Sequence, residues 1–217
     1  MRQFLPTALC LVAVAGSVLV SGCRKDETDN LSRIKSYPAL SVKGNEYYVI
    51  NVGETFNDPG AVASLAGSSV TPIISGAPDI NTPGIYRILY KAANTEGDTV
   101  SQGRTVIVTS PAVNTLDQSG IFKRGAFADS PVTKVGNKGL YKIDNFGFTN
   151  APNLFMAYFV QITPTRIVVP SQTIPGLGFT NFASVASVCT AGRLTTITYG
   201  IQAPAVFGTA PRSAVRQ

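Results

Sequence analysis

The segment that decides the fold is 84–92, which reads GIYRILYKA. One face carries Tyr86, Ile88, Tyr90 and Ala92, and the other carries Arg87, Leu89 and Lys91. Successive side chains of a β-strand point to opposite sides of a sheet, so this period of two predicts a half-buried strand. It is the clearest element of the chain and sets the interpretation of its neighbours.

Short apolar stretches separated by Gly, Pro, Asn and Asp continue on both sides of this segment, and none has a long helical period. They predict further strands at 47–52, 104–109, 132–135, 140–144, 155–162, 165–169 and 194–201. The sequence GNKG at 136–139 predicts a hairpin turn, because glycine readily adopts positive φ. Short strands with turn signals at this spacing predict an all-β fold.

The charge distribution predicts two domains. Residues 39–111 contain four Lys/Arg and six Asp/Glu, whereas residues 112–217 contain nine Lys/Arg and three Asp/Glu. The change falls beside Ser110 and Pro111, so we expect one β domain at 39–111 and a second, antiparallel β domain at 112–217. Most basic residues of the second half are scattered singly, for example Lys134, Lys138, Lys142, Arg166 and Arg193. This scatter favours contact with an acidic surface or polyanionic glycan and argues against nucleic-acid binding.

Three motifs occur in order within the first half: GETFNDPGAVAS at 53–64, NTPGIY at 81–86 and RTVIV at 104–108. Together they resemble the Ig-like domains of bacterial surface proteins, over about residues 39–110. The resemblance implies an Ig-like β-sandwich that serves as a spacer or interaction module without catalysis. Asn94 and Asp98 depart from the family pattern, in a turn whose chemistry tolerates both residue types.

The second half carries a weaker resemblance over residues 117–217. The matching stretches are GIFKR at 120–124, VTKV at 132–135, GLYKI at 139–143 and VPSQ at 169–172. They resemble the C-terminal β domain that follows such Ig-like modules in Bacteroidota lipoproteins. Those proteins are often encoded beside outer-membrane glycan-import systems, so the resemblance implies importer proteins and glycans as partners.

The N-terminus predicts a membrane anchor. Met1, Arg2 and Gln3 precede an apolar run at 5–20, which is followed by VSGC at 20–23. This pattern resembles the lipobox of bacterial lipoproteins. It implies removal of a signal peptide at 1–22 and acylation of Cys23, for example with palmitate. A plain signal peptide or an uncleaved transmembrane anchor are the alternatives, but neither explains the cysteine.

The residues after Cys23 predict where the protein is displayed. Residues 24–30 read RKDETDN and contain no apolar residue, so we expect a flexible, solvated tether at 23–38. A lysine followed by two acidic residues resembles the export signal of Bacteroidota surface lipoproteins. It implies an outer-membrane protein that faces the cell exterior. A generic hydrophilic linker is the alternative.

The chain offers few groups for catalysis or metal binding. It contains no histidine, and Cys189 is the only cysteine that remains once residues 1–22 are removed and Cys23 is acylated. Small, largely apolar neighbours predict that Cys189 is a buried, inert thiol. Carboxylates occur singly in turns or linkers of the second half, at Asp117, Asp129 and Asp144. An aspartate cluster for calcium, from Asp58, Asp79 and Asp98, lacks ligand spacing. We therefore expect neither an enzyme nor a bound metal or cofactor.

Two loops are candidate ligand sites. Residues 145–155 read NFGFTNAPNLF, in which Phe146 and Phe148 offer stacking surfaces and Asn150 and Asn153 offer hydrogen bonds. The alternative is that both rings cap the core. Residues 170–179 read PSQTIPGLGF and form a second candidate loop, for which a plain surface connection is the alternative.

These observations predict a non-enzymatic surface lipoprotein that binds glycans or oligosaccharides for an outer-membrane import system. Its expected partners are the membrane, through acylated Cys23, a glycan ligand and importer proteins, with no role for nucleic acid. The main alternative is a structural or adhesive module that binds protein partners. A small hydrolase is the least favoured class.

Overall fold

The structure is a computed structural model that describes residues 35–152, 154–202 and 204–217. Residues Tyr37–Gln217 form one compact unit. Cys23, the expected signal peptide and most of the expected tether lie outside the described residues. Within the described part of the chain, no helix has both the length and the apolar character needed to cross a membrane.

The first half of the unit contains seven strands in two sheets. The strands are β1 (Ala39–Val42), β2 (Tyr47–Asn51), β3 (Ala61–Leu65), β4 (Ser68–Val70), β5 (Ile73–Ser75), β6 (Gly84–Ala93) and β7 (Thr99–Thr109). One sheet has the order β1-β3-β4 and the other β2-β7-β6-β5, with β2 parallel to β7 and every other pair antiparallel. These sheets form the expected sandwich, and its buried residues include Ile88, Tyr90 and Ala92 on the face predicted for β6.

A buried arginine fixes this sandwich. Arg104 on β7 is fully buried, and its guanidinium forms an ion pair with Asp58 and donates to the carbonyl oxygen of Lys43. The same guanidinium lies 5.2 Å from the ring centre of Tyr48 and 5.6 Å from that of Tyr90. The Tyr90 hydroxyl donates to Asp58 Oδ1 at 2.6 Å. The motifs at 53–64 and 104–108 are therefore joined in the structure by the ion pair between Asp58 and Arg104.

The acidic residues considered for calcium are dispersed. Asp58 pairs with Arg104, and Asp79 accepts a hydrogen bond from the backbone N–H of Asn81 at 2.9 Å. Asp98 accepts from the side-chain amide of Asn94 at 3.1 Å. Among the described residues, no group of three His, Cys, Asp or Glu side chains is placed to hold a metal ion.

The described residues of the second half form ten strands and two short helical turns. The strands are β8 (Gly120–Lys123), β9 (Ser130–Val135), β10 (Leu140–Ile143), β11 (Ala157–Thr163), β12 (Arg166–Val168), β13 (Gln172–Ile174), β14 (Gly178–Thr180), β15 (Phe182–Thr190), β16 (Arg193–Ile201) and β17 (Arg212–Arg216). A 3₁₀ turn (Pro111–Val113) precedes them, and α1 (Pro204–Phe207) lies between β16 and β17.

Eight of these strands form one antiparallel sheet with the order β12-β11-β10-β9-β8-β17-β16-β15. Its two edge strands, β12 and β15, contact each other, so the sheet curls almost into a barrel. The interior is filled by apolar side chains, among them Phe122, Tyr141, Phe146, Phe148, Phe159 and Tyr199. Strands β13 and β14 form a separate hairpin.

The sequence predictions of strands agree with this architecture. Each predicted strand corresponds to an observed one, and residues 136–139 join β9 to β10 with Val135 paired to Leu140. No sheet of the described chain shares strands from both sides of Ser110. Tyr37–Gln217 nevertheless form one compact unit. A boundary between two separate domains at Ser110 and Pro111 therefore stays a prediction.

Candidate functional site

The rings predicted to stack on a ligand lie in the core. Phe146 and Phe148 are each 0% exposed. The Phe146 ring packs against three others at centroid distances of 5.4 to 6.3 Å, those of Phe155, Phe182 and Phe207. The Phe148 ring lies 5.5 Å from that of Tyr199. A fully buried ring offers no face to a sugar, so core capping, the alternative interpretation, describes both residues.

Asn145 explains why this loop turns inward. Its buried side-chain amide donates to the carbonyl oxygen of Thr149 at 2.9 Å and accepts from the Thr149 N–H at 3.2 Å. This closes a tight loop around Phe146 and Phe148. Asn150 is exposed, and its Oδ1 accepts from the backbone N–H of Ala128 at 2.8 Å, so it fastens the loop to its neighbour. Asn153 lies outside the described residues.

The second candidate loop is ordered as the β13–β14 hairpin and is tied to β11. The buried side chain of Gln172 donates to the Tyr158 carbonyl oxygen at 2.9 Å and accepts from the Tyr158 N–H at 2.7 Å. This two-way contact imitates one step of a sheet ladder. It places residues 170–173 against the first half of the unit.

The two halves meet at a packed junction. Ile107 of β7 is buried with Val160, Ile162 and Val168 of the second half. At its edges, the Ser110 N–H donates to the Ile162 carbonyl oxygen at 2.7 Å. Two further polar contacts cross the junction. The Tyr47 hydroxyl donates to the Ser171 carbonyl oxygen at 3.1 Å, and Lys138 Nζ lies 2.5 Å from Glu54 Oε1.

One side of this junction is an open cleft of about 350 Å³, which we call the aromatic groove. It is lined by Asn45, Glu46, Tyr47, Tyr158 and Pro170 over an apolar floor of Ile107, Val135 and Leu140. Both tyrosines are half-buried, so each leaves part of its side chain accessible. An amide, a carboxylate and two aromatic side chains therefore border a single apolar surface.

A second cleft of about 410 Å³ adjoins it, which we call the polar groove. The polar residues in its lining are Ser41, Glu46, Arg87, Gln102 and Thr173. Glu46 lines both grooves, and residues 44–47 and 170–173 contribute to each. The sequence pattern did not reveal either groove, because the contributing segments are far apart in the chain.

The Tyr47 hydroxyl is a fixed donor beside the aromatic groove. Burial, and to a lesser degree the nearby Glu46 carboxylate, raise the pKa of Tyr47 well above its ordinary value. The hydroxyl consequently keeps its proton at physiological pH. It stays bonded to the Ser171 carbonyl oxygen, which anchors the β13 region to β2.

Groups considered for catalysis lie elsewhere and are engaged locally. Asp129 pairs with Lys123 at 3.1 Å, and Asp144 pairs with Lys142 at 2.9 Å. Asp117 Oδ1 accepts from the N–H of Ser119 at 2.8 Å. The side chain of Cys189 is partly buried, which corrects the expectation of full burial. Its burial raises the pKa of the thiol, so the unreactive protonated form is favoured.

Comparison with protein families identifies the first half. Residues 40–108 match the family model of the bacterial surface protein Ig-like domain. This confirms the resemblance read from the motifs at 53–64, 81–86 and 104–108. No curated protein matches the chain.

Two solved structures are similar to this chain at low identity. One is a lipoprotein from Bacteroides thetaiotaomicron, with 22% identity and a TM-score of 0.37, covering 83% of this chain and 100% of that one. The other contains the M60 catalytic domain and two CBM51 domains of ZmpB from Clostridium perfringens. It has 14% identity and a TM-score of 0.31, and the match covers 85% of this chain and 20% of that one.

Proposed function

We propose that this protein is a non-enzymatic, lipid-anchored surface protein that binds an oligosaccharide in the aromatic groove on behalf of an outer-membrane importer. One observation carries the proposal. Tyr47 and Tyr158 line the same open groove as the amide of Asn45 and the carboxylate of Glu46. An apolar surface with a few polar groups at its border is the usual composition of a small-ligand site.

The chemistry of this groove suits a sugar ring. The apolar C–H face of a pyranose packs on an aromatic side chain, while its hydroxyls exchange hydrogen bonds with amide and carboxylate groups. Tyr47 and Tyr158 lie on strands β2 and β11, and the packed junction beneath them involves Ile107. Because both tyrosines lie on strands, their rings need little ordering when a ligand binds.

Removal of one ring tests the groove. The probes are maltohexaose, cellohexaose, laminarihexaose and mannohexaose, titrated separately into residues 24–217 by calorimetry. We expect at least one to bind. Tyr158→Ala should weaken that binding about tenfold or more, because central aromatic contacts dominate small interfaces. Tyr37→Ala is the matched control, since Tyr37 is exposed and lies outside both grooves.

The control should bind as the unmodified protein does, and Tyr158→Phe, which keeps the ring, should retain most of the affinity. Thermal melts of each variant separate loss of binding from loss of folding. Binding of no hexaose, or unchanged affinity in a folded Tyr158→Ala protein, contradicts the proposed site.

Anchoring is tested at Cys23. The pattern VSGC at 20–23 supports acylation, and more than one acyl chain gives stable membrane attachment at about 0.8 kcal/mol per buried CH₂. Cells that express the full chain should incorporate labelled palmitate, and Cys23→Ala should abolish the label. Protease added to intact cells should degrade a surface-exposed protein. Equal labelling of both forms contradicts acylation at Cys23.

A second candidate function is adhesion to a protein partner, and it is favoured by strand β5. This strand is an edge of its sheet and exposes Ile73 (66%) and Ile74 (54%). Exposed apolar edges are templates for pairing with another chain. If cross-linking on cells captures a protein through β5, and Ile73→Lys abolishes the capture, adhesion is the supported function.

A further inference from the structure

We propose that the polar groove is a second sugar subsite, so that the protein binds a run of an uncharged, linear oligosaccharide and not a single sugar. This inference rests on the proposed function, because it assigns the neighbouring cleft to the same ligand. Its first support is position. The segments 44–47 and 170–173 each contribute residues to both grooves, and Glu46 lines both. A chain that leaves one groove along these segments enters the other.

Two polar side chains of this groove are available to a ligand. The side chains of Arg87 and Gln102 have no hydrogen-bond or ion-pair partner within the part of the chain that the structure describes. Both residues line the groove together with Glu46, Ser41 and Thr173. Guanidinium groups only donate, carboxylates only accept, and amides and hydroxyls do both. This mixture matches vicinal sugar hydroxyls, each of which donates and accepts.

The charges of the groove favour an uncharged ligand. Arg87 and Glu46 carry opposite charges in one cleft. An acidic sugar would gain attraction from Arg87 but meet repulsion from Glu46, and a basic sugar would meet the reverse. A neutral sugar forms charge-assisted hydrogen bonds with both, which are stronger than bonds between neutral groups.

The guanidinium of Arg87 has a defined place because Gly103 lies under it. A Cβ atom at Gly103 would come within 2.5 Å of Arg87 Nε, so the arginine uses the space that glycine leaves. Arg87 lies on β6 and Gln102 on β7, which are paired over ten residue steps. Binding groups on paired strands are held more accurately than groups on loops.

The two grooves together have room for more than one sugar. Their volumes are about 350 Å³ for the aromatic groove and 410 Å³ for the polar groove. Each is at the small end of ligand sites, which span about 300 to 1,000 Å³. We therefore expect a disaccharide to occupy the aromatic groove alone, and a hexasaccharide to extend into the polar groove and gain contacts with Arg87 and Gln102.

The test measures affinity against chain length. The probes are maltose with maltohexaose, cellobiose with cellohexaose, laminaribiose with laminarihexaose and mannobiose with mannohexaose, titrated into residues 24–217. We expect one hexaose to bind at least about tenfold more tightly than its biose, equivalent to about 1.4 kcal/mol. The Arg87→Ala/Gln102→Ala double variant should remove that gain and leave biose binding unchanged. Lys91→Ala is the matched control, because Lys91 is an exposed cation on the same face of β6.

Gly103→Ala provides an independent variant, since the added methyl displaces the guanidinium without removing it, and it should weaken hexaose binding selectively. The outcomes are distinct. Hexaose binding that depends on Tyr158 but is unchanged in the double variant overturns the second subsite and leaves the proposed function. Equal affinity for biose and hexaose also overturns the second subsite. Tighter binding of hexagalacturonate than of every neutral hexaose overturns the preference for uncharged chains. Binding of no saccharide overturns both proposals.

Discussion

The two halves of this protein are both all-β, but their cores are organised differently. The first half is built around a buried charge, in which the Arg104 guanidinium meets Asp58 and two tyrosine rings. The second half is built around packed aromatic rings inside a curled sheet. A buried ion pair requires particular residues at particular positions, whereas apolar packing accepts many combinations of similar volume.

This difference accounts for what each half reveals in its sequence. Arg104 and its counter-charge Asp58 belong to motifs that can be read directly, the RTVIV strand at 104–108 and the NDPG turn at 57–60. The rings of the second half leave only a pattern of apolar positions. The family match accordingly spans 40–108.

Breaking the buried charge of the first half should give the largest effect on stability. Asp58→Ala leaves the Arg104 guanidinium buried without its counter-charge and also removes the acceptor of the Tyr90 hydroxyl. We expect a loss of about 3–5 kcal/mol in the free energy of unfolding, measured by urea denaturation. Asp79→Ala, in an exposed turn, should lower the free energy of unfolding far less, because among the described residues the Asp79 carboxylate bonds only to groups of its own turn. A similar small loss for both would show that the polar contact is dispensable.

Replacing one ring of the second half by a smaller apolar side chain should cost less. Phe148→Leu keeps the site apolar, and repacking around Tyr199 should limit the loss to about 1–2 kcal/mol, below the 3–5 kcal/mol of truncation to alanine. Because Phe148 is fully buried, the affinity for any bound hexaose should not change. Melting curves and calorimetry run on the same sample check both statements. A lower hexaose affinity with unchanged stability would instead show that the 145–155 loop contributes to ligand binding.

The sequence predicts the first half in more detail than the second. Strand β6 was predicted from strict alternation, and the Ig-like sandwich from motifs whose residues touch. Strand β15 reads FASVASVCT, where small residues hide the alternation and its pairing with β16 contains register shifts. The inward turn of Phe146 and Phe148 depends on Asn145 closing the loop, and an asparagine before an aromatic residue does not by itself indicate that geometry.

The grooves were missed for a different reason. Tyr47 and Ser171 are 124 residues apart in the chain, and the site exists only because the junction brings their segments together. No local pattern encodes such a pairing. The loop at 170–179 was the nearest sequence signal, since its first residues border both grooves.

The smallest predicted effect on stability is at the ion pair that joins the two halves at the edge of the junction. This pair tests whether contacts between the halves also hold the grooves in place. Lys138 of the second half pairs with Glu54 of the first, and the Glu54 carboxylate also accepts from the Asn51 N–H at 3.0 Å. The Asn51 N–H first, and Lys138 second, hold the pKa of Glu54 below its ordinary value. The pair is partly exposed, so Glu54→Gln should cost less than about 1 kcal/mol at pH 7.

The sign of the pH dependence follows from the lowered pKa. A carboxyl that is more acidic in the folded state stabilises that state at every pH above its unfolded pKa. It loses this contribution as the pH falls through the lower, folded value. The difference in melting temperature between the unmodified protein and Glu54→Gln should therefore be constant from pH 7 to about pH 5 and shrink as the pH falls further, through the lowered pKa of Glu54. Lys142→Gln, which breaks an exposed pair within the second half alone, is the matched control.

If both variants also leave hexaose affinity unchanged, the apolar contact of Ile107 holds the grooves in place. If only Glu54→Gln weakens binding, the ion pair itself positions the segments that line them.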